Sequence, residues 1–203
     1  MMRPMDLFAA DDDAMQAIPV EDGELRFLQQ LKLPLPNAEL MRRLQAEIAW
    51  RVETIIVFGK EQAQPRLSAW YGEASYTYSG KTFHPLPFTP LLLDIKAAVE
   101  AASGCRFNSV LLNYYRDERD SMGFHSDDEP ELGRNPAIAS FSLGATRRFI
   151  LKHKQRPLDL KLDLTDGSLL LMAGALQHYW RHGINKSSRA HGPRINLTFR
   201  LVH

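Results

Sequence analysis

Residues 194–200 read Arg-Ile-Asn-Leu-Thr-Phe-Arg, polar and apolar in unbroken alternation, which is the period of a β-strand. On such a strand Arg194, Asn196, Thr198 and Arg200 share one face, and Ile195, Leu197 and Phe199 share the other. The pattern alone allows a half-exposed strand with its polar face in water, or a polar face that serves a site. Residues 107–115, 137–143, 149–154, 168–172 and 195–202 are short β-type runs broken by Gly, Pro, Asp or Asn. The first half reads differently. Pro36-Asn37 opens a helical stretch in which Leu40, Leu44 and Ile48 lie one turn apart. Thr89-Pro90 is a cap followed by a first-turn proline, and Gly104 is a natural stop. Between these helices, residues 54–58 (Thr-Ile-Ile-Val-Phe) are β-rich and end at Gly59. Punctuated strands after two helices predict a mainly β (α+β) sandwich or barrel with supporting helices on one side.

Composition narrows the class. The chain has 203 residues, 44% of them hydrophobic and 24% charged, enough for a single domain with one sizeable core. Cys105 is the only cysteine, so no internal disulfide can form, and a reducing, cytoplasmic setting is expected. No apolar run is long enough to span a bilayer, and residues 1–16 lack a basic start followed by an apolar stretch, so neither membrane insertion nor export is expected. Residues 1–17 read as a flexible tail. The formal net charge is +1, yet acidic residues crowd the start, and Arg and Lys outnumber Asp and Glu in the last third. That asymmetry suits a polyanion-binding face on the C-terminal half.

The chemistry is concentrated in a few residues. In His125-Ser-Asp127 the two ligating side chains lie two apart, so an extended backbone points both at one ion. Two histidines and one carboxylate, with the remaining positions open, characterise non-haem Fe(II) oxygenases. The second histidine must come from elsewhere, and His178 and His182 are the candidates. No Glu follows His178, so a helical His-Glu-x-x-His zinc site is excluded. The two arginines of residues 194–200, with an amide and a hydroxyl between them, suit a dicarboxylate. Asn113 and Tyr115, sharing a face of the 107–115 strand, offer further donors.

Asn113-x-Tyr115, His125-x-Asp127, Trp180-x-His182 and Arg194-x-Asn-Leu-Thr-Phe-Arg200 stand in the order and spacing of the AlkB-like iron(II)/2-oxoglutarate dioxygenases. The chain resembles that family over residues 65–201, and resembles most the animal homologues that repair alkylated nucleic acid, through residues 65–73, 76–79 and 125–130. The resemblance implies a double-stranded β-helix (jelly-roll) core in a single domain, residues 18–203, with its catalytic part at about 105–203. It implies iron held by His125, Asp127 and His182, and 2-oxoglutarate held by Asn113, Tyr115, Arg194, Asn196, Thr198 and Arg200. It selects His182 over His178, because the family's distal histidine follows a Trp by two. The implied reaction is oxidative removal of N-methyl groups from damaged bases such as 1-methyladenine and 3-methylcytosine, in DNA and in RNA, with release of formaldehyde.

Substrate contacts are expected from five residues. Asp128 and Glu129 adjoin the metal triplet and suit a cationic base. Tyr76 and Tyr78 resemble the family's base-contacting lid. Phe58, in Val57-Phe-Gly59, resembles a finger that wedges into duplexes. Met5-Asp-Leu-Phe8 resembles peptides that dock on bacterial sliding clamps through residues such as Leu7 and Phe8. A monomer is expected. The rival readings are a same-fold oxygenase acting on a protein or small molecule, a silent nucleic-acid-binding domain, and a zinc hydrolase.

Overall fold

A computed structural model describes residues 14–57, 60–73, 76–78 and 81–203. The chain runs β1 (Gln16–Ile18), β2 (Glu24–Leu28), α1 (Asn37–Glu47), β3 (Thr54–Val57), β4 (Lys60–Ala63), β5 (Leu67–Gly72), β6 (Tyr76–Tyr78), β7 (Lys81–Phe83), α2 (Pro90–Ser103), β8 (Ser109–Tyr115), β9 (Met122–His125), β10 (Ile138–Gly144), β11 (Arg147–His153), β12 (Asp159–Leu164), β13 (Leu169–Ala173), the short α3 (Leu176–Tyr179), β14 (Trp180–Ile184) and β15 (Arg194–Arg200). The major sheet has seven strands in the order β1-β2-β13-β10-β15-β8-β5, and the minor sheet has four in the order β12-β11-β14-β9. Every pairing in both is antiparallel. From β8 to β15 the chain crosses repeatedly between the sheets, as from β8 to β9, β10 to β11, β12 to β13 and β14 to β15, and this crossing order is that of a double-stranded β-helix. The separate hairpins β3-β4 and β6-β7 stand outside the two sheets.

Three layers result, helices and two sheets, and the two-residue period of the strands sets which face each strand side chain takes. The outward face of the major sheet buries Leu112, Phe141, Leu143, Leu197 and Phe199 against Leu40 and Leu44 of α1 and Leu92, Ile95 and Val99 of α2. Each such side chain, fully removed from water, contributes about 1.5–3 kcal/mol. The inward face meets the minor sheet, where Tyr115, Ile138, Leu170 and Met172 pack on Phe149, Leu151, Leu164 and Ile184. The apolar positions of β15 thus hold the helices, and its polar positions turn toward the minor sheet. All seven of its residues are buried, so the half-exposed alternative is excluded.

The helices end where their residues require. Thr89 Oγ1 accepts the Leu92 N–H at 3.3 Å, Pro90 fills the first helical position, and Gly104 terminates α2 at φ 71°, in the left-handed region. Gln16 and Ala17, expected at the end of the tail, belong to β1, paired with Phe27 and Arg26. Three exposed or half-buried residues give no period to read, and only the neighbouring β2 makes them a strand.

Candidate metal centre and cosubstrate pocket

Strands β9 and β14 build the centre. His125 and His182 are directly opposed across the antiparallel pair, so both rings emerge on the inward face, with centroids 4.5 Å apart. Gly183 permits this approach, since a side chain there would put Cβ at 2.9 Å from the Met122 carbonyl oxygen. Asp127 lies just past β9, its N–H donating to Gln177 Oε1 at 2.9 Å. Its carboxylate stands 3.8 Å from His125 Nε2 and 3.9 Å from His182 Nε2. Atoms bound to one ion at about 2.0–2.2 Å lie up to about 4.4 Å apart, so these separations suit a shared ion. Among the described residues, these three form the group of His, Cys, Asp or Glu with ligand atoms gathered in this way.

The protonation states fit a metal as well. His125 Nδ1 lies 2.9 Å from the Gly123 carbonyl. A carbonyl only accepts, so Nδ1 carries the proton and Nε2 presents its lone pair. Burial pushes His182 down to about 3, helped by nearby His125 and opposed by Asp127, which keeps the ring neutral. Burial works against ionisation of Asp127, but Arg200, His125 and His182 outweigh it and hold the carboxyl at about 2. Arg200 Nη2 donates to Asp127 Oδ1 at 2.8 Å.

His178 is elsewhere. It is exposed, with its Nε2 against the Arg134 carbonyl and Asn135 Oδ1.

A small pocket between the sheets opens behind the centre, and its wall includes all six residues expected to hold 2-oxoglutarate: Asn113, Tyr115, Arg194, Asn196, Thr198 and Arg200. Register explains their meeting: Asn196 pairs with Asn113 and Arg194 with Tyr115. Asn196 donates to Ser140 Oγ at 2.7 Å and accepts from the Thr198 hydroxyl at 2.9 Å. Arg194, 1% exposed, donates from Nη2 to Ser142 Oγ at 3.0 Å, with its guanidinium 5.1 Å from the centre of the Tyr115 ring. Its Nε and Nη1 have no hydrogen-bond partner among the described residues. Burial lowers its pKa to about 10, with Tyr115 opposing. A buried cation with idle donors fits a carboxylate ligand. Ser140, Ser142 and the Asp127-anchoring Gln177 escape sequence reading, since small or amide side chains on buried elements have no pattern of their own.

On the other side of the centre lies a cavity of about 280 Å³, walled by Trp70, Leu111, Phe124 and His125 among others. Asn113, Met122, His125, Asp127 and Arg200 line both spaces. Asp128 and Glu129 do not line the cavity. Asp128 is exposed and meets Lys154 at 3.3 Å, while Lys154 also donates to the Gln177 carbonyl at 2.9 Å. Glu129 is half-buried, and its Oε2 has no hydrogen-bond partner among the described residues. Tyr76 and Tyr78 lie on β6, whose partner is β7. Phe58, Leu7 and Phe8 lie outside the described residues.

The sequence pattern of the 2OG-Fe(II) oxygenase superfamily matches residues 25–200. The chain belongs to that superfamily. It is 44% identical over 174 residues to the human alpha-ketoglutarate-dependent dioxygenase alkB homolog 3, covering 81% of this chain and 61% of that protein, and 45% identical over the same length to its Bos taurus counterpart, with the same coverage. It is 38% identical over 177 residues to the human DNA oxidative demethylase ALKBH2, covering 81% of this chain and 68% of that protein. The chain thus spans about three-fifths of the alkB homolog 3 proteins it matches. A solved structure, that of OsALKBH1, shares the fold with a TM-score of 0.63 at 18% identity, over 92% of this chain and 100% of that one. Among the described residues no helix is long and apolar enough to cross a membrane.

Proposed function

We propose that this chain is an Fe(II)- and 2-oxoglutarate-dependent dioxygenase that demethylates N-alkylated bases of the 1-methyladenine and 3-methylcytosine type in DNA, with RNA as a second polymer. The observation that carries the reading is that two pockets meet at His125 and Asp127: a small one that includes Arg194, Asn196, Thr198 and Arg200, and a broader one walled by Trp70, Leu111 and Phe124 among others. His125, Asp127 and His182 would hold the metal on one side, leaving its other positions free. Bound iron with 2-oxoglutarate supplies the oxidising chemistry, O2 being consumed and the cosubstrate leaving as succinate and CO2.

The protein's own residues position and shield. Arg194, deep in the polar pocket, would take the distal carboxylate. Arg200, tied to Asp127, would meet the keto-acid end, and it holds the Asp127 carboxylate in orientation. Gln177 fixes the Asp127 backbone from behind. The broader cavity takes the base, excludes water and sets its methyl group beside His125. The N-hydroxymethyl product then breaks down to formaldehyde and the restored base. The names of the alkB homologues, one of them a DNA oxidative demethylase, support this substrate class.

The test is coupled turnover. With Fe(II), 2-oxoglutarate and O2, a methylated oligonucleotide should yield succinate and formaldehyde in equal amounts. Succinate formed without formaldehyde from any methylated DNA or RNA would overturn the reading in favour of another substrate.

A further inference from the structure

Strand β9 carries a glycine that the fold itself does not require. In its pairing with β14, His125 lies opposite His182 and Met122 opposite Ile184. Gly123 and Phe124 therefore face the single residue Gly183, which makes a β-bulge just before the metal ligand His125. Gly183 is needed, because a Cβ there would lie 2.9 Å from the Met122 carbonyl oxygen. Gly123 is not. Its φ lies outside the left-handed region in which a bulge must use glycine. A Cβ there would meet no described atom within 4 Å. The position is exposed, yet it lines the cavity with Trp70, Leu111 and His125, so it stands at the mouth. β9 is a short edge strand with β14 as its sheet neighbour, and a glycine weakens such a strand through backbone entropy. A strand glycine demanded by neither dihedral nor packing marks a place where a ligand comes close to the backbone.

We propose that Gly123 seats the sugar of the extruded nucleotide, and that its missing side chain admits ribose as well as deoxyribose; this rests on the demethylase reading above. A polymer sends its base into a cavity, while its sugar and phosphates stay at the mouth. With the base beside His125, the sugar lies against the residue of the same strand that borders solvent, which is Gly123. Bare backbone there lets a sugar ring approach to van der Waals distance. A methyl group would occupy part of that space, and a branched side chain would fill more of it. The 2′-hydroxyl is the bulk that separates RNA from DNA, so ribose needs the gap most. The Gly123 carbonyl, which accepts from His125 Nδ1 at 2.9 Å, survives substitution, so the metal ligand keeps its orientation.

The experiment compares wild type, Gly123→Ala and Gly123→Val on single-stranded DNA and RNA of one sequence, each carrying one 3-methylcytosine. Turnover gives kcat/KM, and fluorescence anisotropy of the same oligonucleotides with metal-free protein reports binding apart from turnover. Melting curves with and without Mn(II) and 2-oxoglutarate report on the fold and the centre. Gly123→Val should lower kcat/KM on RNA about tenfold or more, mainly through KM and with the same trend in binding, and should lower it less on DNA. Gly123→Ala should fall between wild type and Gly123→Val. Both variants should melt no lower than wild type and keep the shift given by Mn(II) with 2-oxoglutarate. A Gly123→Val protein as active as wild type, or one that loses DNA and RNA turnover equally, overturns the assignment alone. So does a loss that comes with a lower melting temperature and no cosubstrate shift, or a wild type active on DNA and inert on RNA. A wild type inert on every methylated oligonucleotide overturns the demethylase reading, and this proposal with it.

Discussion

His182 and His178 differ by four positions and by everything that matters to a metal. His182 lies on β14, is 5% exposed and turns its Nε2 toward Asp127. His178 lies on the short α3, exposed, and bonds to Arg134 and Asn135. His182→Ala should therefore lose Fe(II) binding and more than about two orders of magnitude in turnover, since changing even a ligand's supporting residue costs 10–100-fold. His178→Ala should keep most of both. Metal titration with succinate release checks the pair, and an active His182→Ala would remove the ligand assignment. The same local logic separates Asn196 from an ordinary strand asparagine. With one amide donor on Ser140 Oγ and the Phe141 carbonyl, and its own oxygen accepting from Thr198, it is held in one orientation within the polar pocket.

Among the elements, the β3-β4 hairpin decides more than its length suggests. Its strands pair from Thr54 with Ala63 to Val57 with Lys60, and its base contributes Glu53 and Gln64 to the cavity wall. Phe58 and Gly59 join the two paired strands in the chain. If Phe58 acts as a wedge that fills the space of an extruded base, Phe58→Ala should cut demethylation of duplex substrates while sparing single-stranded turnover and thermal stability. If it is instead part of a core, truncation should cost about 3–5 kcal/mol and lower both activities together. Paired duplex and single-strand assays with a melting curve distinguish the two outcomes.

At the scale of the whole molecule, the polar pocket trades stability for binding. Arg194 is a buried cation whose Nε and Nη1 have no described hydrogen-bond partner, so its desolvation is poorly compensated in the free protein. Arg194→Met, similar in volume and apolar, should leave the melting temperature of the metal-free protein unchanged or raised. In the wild type, Mn(II) with 2-oxoglutarate at a hundredfold over its Kd should add about 2.7 kcal/mol, a rise of about 5–10 °C for a chain of this size. The variant should lose most of that rise. A variant that melts lower without ligand yet keeps the full shift would show that Arg194 serves the fold and not the cosubstrate.

Much of this was legible in the sequence because periodicity reports which face is buried. The unbroken alternation of residues 194–200 put Ile195, Leu197 and Phe199 on one face, which the fold packs with the helices, and the strand-type spacing of His125 and Asp127 marked two candidate ligands of one ion. The cap, proline and glycine around α2 located its ends, because those positions depend only on local backbone chemistry. Periodicity could not say that the polar face of β15 is sealed from water, since that depends on a second sheet arriving from residues far along the chain. Nor could it show β1 or the pairing of His125 with His182, which arise from contacts across the sheets. Adjacency to the metal triplet pointed to Asp128 and Glu129 as substrate contacts, and Glu129 keeps a carboxylate oxygen without a hydrogen-bond partner among the described residues. The structure turns Asp128 to Lys154 and brings Glu53 to the wall from more than seventy residues away. Asp127 is buried and its neighbour Asp128 exposed, as alternation along an extended backbone requires, so adjacency did not carry Asp128 into the cavity.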